Sequence, residues 1–217
     1  MPVFALDQSL NFPPVHLAEP DGLLAVGGDL SPERLLLAYR RGIFPWYEGK
    51  RVLWWCPDPR FVLFPSELKI GKTARKILGR SDFEFAVNRD FRRVIRHCRH
   101  IPRAGQTGTW ITPEMEAAYL RMHELGYAHS AETWKLGKLV GGLYGIRLGK
   151  VFFGESMFSL ISNGSRIAMI RYVEQLRTEG VELIDCQVYT PYVESFGARM
   201  IRRAEFLRLL ARLIPGS

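Results

Sequence analysis

The chain has 217 residues and a mass of 24.9 kDa, which suits one domain with a sizeable core, alone or with a small companion, and excludes a multidomain machine. Hydrophobic residues at 47% and charged residues at 24% exclude a disordered chain, and no run approaches the roughly 18 apolar residues that span a bilayer. The net charge of +8 is local: eleven Lys or Arg and three Asp or Glu lie between Lys69 and Arg103, while the remainder balances at nineteen of each, so the expected partner is anionic, phosphate above all.

The opening third is rich in turn formers, from Phe12-Pro-Pro14 to Pro57-Asp-Pro59. One helix is expected there, with Ser31 as cap, Pro32 in its first turn and Gly42 at its end. Val52 to Cys56 reads as a strand, and a boundary falls near residue 60, which divides the chain into a small N-terminal domain (1–60) and a larger one (61–217). Two helices then carry the basic segment. In the second, Phe91, Val94, Ile95 and Cys98 recur at helical spacing, which turns Arg92, Arg93, Arg96 and Arg99 outward. Another helix should start at Thr112-Pro113 and stop at Gly126, with Met115, Ala118, Tyr119 and Met122 inward. Between Ala131 and Phe158 three strands alternate with turns at Leu136-Gly137-Lys138 and Leu148-Gly149-Lys150, the pattern of an antiparallel meander. An amphipathic helix through Ile167, Ile170, Val173 and Leu176 leads to a strand over Val181–Val188, and a last helix carries Phe206, Leu207, Leu210 and Leu213. A meander followed by strand–helix–strand implies a mixed sheet with helices on its faces, an α/β (α+β mixed) class.

Familiar catalytic signatures are absent: GxSxG, GxxxxGK[ST], HExxH and GxGxxG do not occur. The five histidines share no metal-ligand spacing, and Cys56, Cys98 and Cys186 form no CxxC, so no metal is expected and a reducing compartment, the cytoplasm, suits them. The N-terminus has neither a basic n-region nor an apolar h-region, which gives no membrane association. Two segments place polar groups where strands end in apolar surroundings. In Phe152-Phe-Gly-Glu155-Ser-Met-Phe158 a lone carboxylate is either paired internally or awaiting a cation from a ligand. In Leu183-Ile-Asp185-Cys-Gln187 strict alternation would put Asp185 and Gln187 on one face; the pattern does not choose between a structural network and a site.

With these segments, Gly42-Ile-Phe-Pro-Trp46, Trp54-Trp-Cys-Pro-Asp-Pro-Arg60, Gly108-Thr-Trp-Ile111, His129-Ser130 and Leu139-Val-Gly-Gly-Leu-Tyr-Gly145 follow in register from about Gly22 to Gln187. In this the chain resembles the bacterial leucyl/phenylalanyl-tRNA–protein transferases. The resemblance implies transfer of Leu, Phe or, less readily, Met from aminoacyl-tRNA to proteins with N-terminal Arg or Lys, marking them for N-end-rule degradation. It implies a fold similar to the acetyl-CoA-dependent (GNAT-like) N-acyltransferases behind a small N-terminal domain, and no cofactor, since the donor ester is already activated. By position it assigns the aminoacyl-binding carboxylate to Glu155, the catalytic pair to Asp185 and Gln187, and substrate-positioning aromatics to Trp46, Trp110 and Tyr119. The apolar pocket falls on Leu143, Phe152, Met157, Met169 and Tyr172, and the tRNA-binding cations on Lys72, Arg75, Lys76 and Arg80.

Residue chemistry refines these roles. A Gln amide oxygen is too weak a base to take a full proton, so Gln187 is expected to orient the attacking amine, with Asp185 fixing the amide and serving as the proton sink. Leu143, Met157 and Met169 read equally well as simple core. Two other functions are conceivable: an acetyl-CoA-dependent N-acyltransferase, although Ser159-Leu-Ile-Ser-Asn-Gly-Ser165 lacks the glycine-spaced amides that hold a pyrophosphate, and a non-enzymatic RNA-binding module.

Overall fold

The computed structural model describes residues 3–79, 82–101 and 111–216. Its first part runs β1 (Phe4–Leu6), β2 (Leu23–Gly27), α1 (Pro32–Arg40), β3 (Phe44–Pro45) and β4 (Leu53–Trp55). There follow β5 (Arg60–Leu63), α2 (Lys72–Leu78), β6 (Glu84–Val87), α3 (Phe91–His100), α4 (Pro113–Glu124), β7 (Ala128–Lys135), β8 (Lys138–Leu148) and β9 (Val151–Ser159). The last part is α5 (Gly164–Thr178), β10 (Leu183–Gln187), α6 (Pro191–Glu194), β11 (Arg199–Ile201) and α7 (Arg203–Leu213). Among the described residues no helix is long and apolar enough to cross a membrane.

Helix starts follow side-chain chemistry. Ser31 Oγ accepts from the Arg34 N–H, Asp90 Oδ1 from Arg93 and Thr112 Oγ1 from Met115, each satisfying an orphan amide of a first turn. Between β7 and β8, Leu136 (φ 49°) and Gly137 (φ 71°) make the tight left-handed turn that a two-residue hairpin requires.

The strands form two sheets. One has the order β1-β2-β4-β3, and the other the order β11-β5-β10-β9-β8-β7-β6. In the large sheet β9 and β10 are parallel, joined across α5, and the other neighbours are antiparallel. The mixed sheet is thus as the sequence implied, but β5, β6 and β11 were not foreseen. All three are short, and the four residues of β5 are buried on both faces, so that strand lacks the polar–apolar alternation of a half-exposed one.

Alternate residues of the central strands feed two buried clusters. Val62, Tyr144, Phe153 and Leu183 join α1, α3, α4 and α7 through Tyr39, Val94, Met115 and Phe206. Phe61, Leu143, Phe152 and Ile184 meet α5 and α2 through Met169, Tyr172 and Ala74. The glycines of Leu139–Gly145 serve this layering. A Cβ at Gly141 would stand 2.3 Å from the backbone of Gly164, where α5 begins, and one at Gly145 would stand 2.1 Å from the Phe153 carbonyl oxygen.

Candidate functional site

Ladder pairing between β9 and β10 runs from Leu183–Val151 to Asp185–Phe153 and stops. Just beyond, each strand carries a bulge toward its other neighbour. Tyr144 pairs with Ser156 and Gly145 with Gly154, so Glu155 is the extra residue of β9. Asp185 pairs with Val62 and Gln187 with Phe61, so Cys186 is the extra residue of β10. Bulges re-aim side chains and end pairing; here two of them, side by side, part the strands and open a cavity of about 380 Å³.

Gly154 to Met157 form one lip of the cavity and Cys186 to Val188 the other. Its depth is apolar: Leu143, Phe152, Met157, Met169 and Tyr172, all five expected from the sequence, line it together with Val173, Leu176 and Ile184. They therefore face a space as well as belonging to the core. Phe44 and Trp46 close one side, and Tyr192 and Val193 another. Burying each methylene of a ligand in such a slot is worth about 0.8 kcal/mol.

Glu155 faces this space with its carboxyl group held from behind. Oε1 accepts from Tyr39 Oη at 2.7 Å and from Gln187 Nε2 at 2.9 Å, and Oε2 accepts from Tyr119 Oη at 2.8 Å. The two phenol oxygens are themselves 2.5 Å apart. Three oxygen–oxygen contacts therefore close a ring for which an ionised carboxylate and two phenols supply only two hydrogens; a protonated carboxyl supplies the third. The electrostatics agree. Burial pushes the carboxyl up to about 7, against the pull of the bonds from Tyr39, Tyr119 and Gln187 and helped by the charge of Asp185. Burial, then the nearby charge of Glu155, raises both phenols well above their ordinary range, so they remain donors. Glu155 therefore exchanges its proton close to neutrality, and a cation beside it would favour the carboxylate.

Gln187 has φ +63°, a left-handed conformation that costs a non-glycine residue roughly 1–2 kcal/mol. Its Nε2 points to Glu155, which leaves the amide oxygen as the acceptor. Asp185 does something other than expected. It is fully buried, does not line the cavity, and engages Arg60 through two parallel bonds, Nε to Oδ1 at 2.8 Å and Nη2 to Oδ2 at 2.7 Å. It accepts from the backbone N–H of Gln187 at 2.9 Å, not from its side chain. The bulge at Cys186 breaks the alternation that would have set both side chains on one face. Clamped this way and turned from the cavity surface, the Asp185 carboxylate meets the site through the Gln187 backbone, where the sequence had implied contact with its side-chain amide.

Tyr119 is fully buried, as its place on the inward stripe of α4 implied, and meets the site through its bond to Glu155 Oε2, which orients the carboxylate. Trp46, 39% exposed at the cavity edge and packed on Trp55 at 5.7 Å between ring centroids, keeps a free face. Trp110 and Arg80 lie outside the described residues.

The basic segment divides in two. On and before α3, Arg89 pairs with Glu84, Arg93 with Asp90, and Arg96 and Arg99 both with Glu116 of α4; Arg89 and Arg93 also lie over the Trp134 ring. Lys72, Arg75 and Lys76 of α2 are exposed, and among the described residues no ion pair engages them. α2 rests on α5 through Ala74 and through Arg171, which donates to the Leu78 carbonyl, so these cations sit behind the cavity wall that Met169 and Tyr172 form.

Sequence reasoning missed Tyr39, Phe44 and Arg60. The Gly42-Ile-Phe-Pro-Trp46 and Pro57-Asp-Pro59-Arg60 segments held two of them in view, but their partners are distant in the chain: Arg60 and Asp185 are 125 positions apart, Tyr39 and Glu155 116.

Comparison with known proteins gives a consistent result. The model of the family "Leucyl/phenylalanyl-tRNA protein transferase" matches residues 62–211, and that of its N-terminal domain residues 28–58. Similar relatives include the leucyl/phenylalanyl-tRNA–protein transferase of Syntrophobacter fumaroxidans, 57% identical over 99% of this chain and 92% of the relative. That of Christiangramia forsetii is 54% identical over 96% of this chain and 100% of the relative. Among solved structures, a GCN5-related N-acetyltransferase from Kribbella flavida aligns over 77% of this chain and 60% of its own with a TM-score of 0.40 and 11% identity.

Proposed function

The chain belongs to the leucyl/phenylalanyl-tRNA protein transferase family, and on that premise we propose that the cavity between β9 and β10 is where it joins an aminoacyl group to a protein terminus. It is an aminoacyltransferase that moves Leu or Phe from aminoacyl-tRNA to the N-terminal Arg or Lys of proteins. Met is a weaker donor, the product is marked for N-end-rule degradation, and the setting is the cytoplasm, where three cysteines without a disulfide suit a reducing milieu. The division near residue 60 separates an N-terminal domain, carrying the small sheet, from the catalytic one.

The observation that carries the reading is a carboxyl group set at the lip of an apolar slot. The donor's α-ammonium pairs with Glu155 while its side chain enters among Leu143, Phe152, Met157, Met169 and Tyr172. An N-blocked donor brings no cation and is refused. A charged side chain would lose its hydration in the slot, and since a methylene discriminates by only about 1–3 kcal/mol, Leu, Phe and Met are all admitted.

The acceptor's α-amine, with an intrinsic pKa of about 7.7–8.0, is partly free base near neutrality. Gln187 accepts one of its N–H bonds and aims the lone pair at the ester carbonyl. The new N–C bond forms, the C–O bond to the ribose breaks, and the amine's proton ends on the ribose oxygen. Rate then comes from holding two reactants in line and from hydrogen bonds that strengthen as the oxyanion develops. Trp46 offers its free face to the terminal adenosine. Lys72, Arg75 and Lys76, with Arg80 beyond them in sequence, hold acceptor-stem phosphates, contacts that position the RNA without reading its sequence.

The test is direct: incubate the protein with radiolabelled leucyl-tRNA and a peptide beginning with Arg. Label in the peptide supports the reading. Label carried only from acetyl-CoA would replace it with an acetyltransferase, and RNA binding without transfer would replace it with a binding module.

A further inference from the structure

Arg60 stands behind the site, touches none of the cavity, and is 0% exposed. Its guanidinium lies between two rings, 4.6 Å from the Phe44 centroid and 4.7 Å from that of Phe206, and its fork holds both oxygens of Asp185. Burying two ions is expensive, and an apolar pair of similar volume would serve stability as well or better. What the ion pair supplies is direction. Asp185 Oδ1, fixed by Arg60 Nε, is the acceptor for the Gln187 N–H, and that bond crosses the bulge at Cys186 to the one residue of the lip held in a left-handed conformation. A carboxylate with free rotation about its last bond would not hold that amide in place; one gripped by a planar fork does.

We infer that Arg60 is a positioning residue for the transfer step: through Asp185 it fixes the backbone of Gln187, and with it the aim of the amide that receives the acceptor amine. This rests on the role of Gln187 proposed above. Arg60 and Asp185 are a neutral unit that touches no substrate.

The test is a double-mutant cycle with Arg60→Lys and Gln187→Ala, each variant followed by thermal unfolding, by KM for leucyl-tRNA and by kcat with an Arg-initiated peptide. Lysine keeps the charge beside Asp185 but has one ammonium in place of the fork. Since displacement of a reacting group by about 1 Å can cost on the order of 100-fold, Arg60→Lys should lower kcat at least tenfold while leaving donor KM within about twofold. In the Gln187→Ala background it should lower kcat no further, because nothing remains to be aimed. An equal loss in both backgrounds, or a lowered melting temperature with unchanged kcat, overturns the role of Arg60 and leaves that of Gln187 standing. Wild-type kcat in Gln187→Ala alone overturns the role of Gln187, and this inference with it, while leaving the transfer reaction standing. Should Arg60→Lys not fold, the double variant Arg60→Met, Asp185→Asn removes the buried charge as a unit and keeps an acceptor at residue 185; the same loss of kcat and the same silence in the Gln187→Ala background are expected, and wild-type kcat in it refutes the inference.

Discussion

The phenol oxygens of Tyr39 and Tyr119 lie 2.5 Å from each other, and each also touches a different oxygen of Glu155. The hydrogen this ring lacks when Glu155 is ionised could be provided permanently by an amide, so Glu155→Gln separates stability from function. The folded carboxyl titrates at about 7 against an ordinary 4.5. The native state therefore binds this proton more tightly than the unfolded chain, and its stabilising contribution, complete below about 4.5, is lost as pH rises to 7. The wild-type melting temperature should fall over that window by a few degrees more than that of Glu155→Gln, while the variant loses binding of aminoacyl-adenosine donors. Parallel melting curves from pH 4.5 to 8 would contradict the proton count.

Charge on α2 should matter for RNA and for nothing else. Reversing Lys72 and Lys76 to Glu is expected to raise KM for leucyl-tRNA by about tenfold or more and to flatten its salt dependence by roughly two phosphate contacts. Aminoacyl-adenosine donors, which carry no stem, should react as before. Arg96→Gln, which removes a cation already paired with Glu116, should change tRNA KM much less. An equal loss with both kinds of donor would move the RNA surface elsewhere.

A second carboxyl at position 187 would face Glu155 across the present 2.9 Å contact. Like charges at that range force one group to keep a proton. Gln187→Glu is thus expected to lose activity relative to the wild type progressively as pH rises and the second carboxyl ionises, whereas Gln187→Ala should be depressed about 10–100-fold at every pH. Profiles of kcat between pH 5.5 and 9 distinguish the two, and coincident profiles would argue against the contact.

Gly145→Ala should damage the fold outright. Its Cβ would meet the Phe153 carbonyl oxygen at 2.1 Å and the Phe152 ring at 2.5 Å, so β8 and β9 would have to separate at the bulge that presents Glu155. Overpacking of this kind costs about 1–3 kcal/mol, a drop in melting temperature of several degrees for a chain of this size. An unchanged melting temperature would mean that the approach of the two strands is looser than described.

Much of the architecture could be read from residues alone because it rests on local rules. Ser31 and Thr112 cap the helices they precede, and the stripes through α3, α5 and α7 are buried as their spacing demands. Glu155 stood out for a reason that survived: a carboxylate among Phe and Met needs partners, and it has three. What escaped was non-local or depended on one inserted residue. A bulge has no signature in composition, so alternation assigned Asp185 to the wrong side. Arg60 and Tyr39 belong to segments whose spacing says nothing about strands more than a hundred residues downstream.

The two lips of the slot are neighbouring strands of one sheet, zipped by backbone pairing up to Asp185 and Phe153 and bridged beyond by the Gln187–Glu155 side-chain bond. The binding cleft is therefore an unfinished seam, and its width is governed at the point where zippering ends. Substitutions that let the ladder advance by one more rung would shut out every donor without altering any atom that a donor touches, and those that let it retreat would widen the choice of side chains. Tolerance among donor amino acids can thus be tuned from inside the sheet.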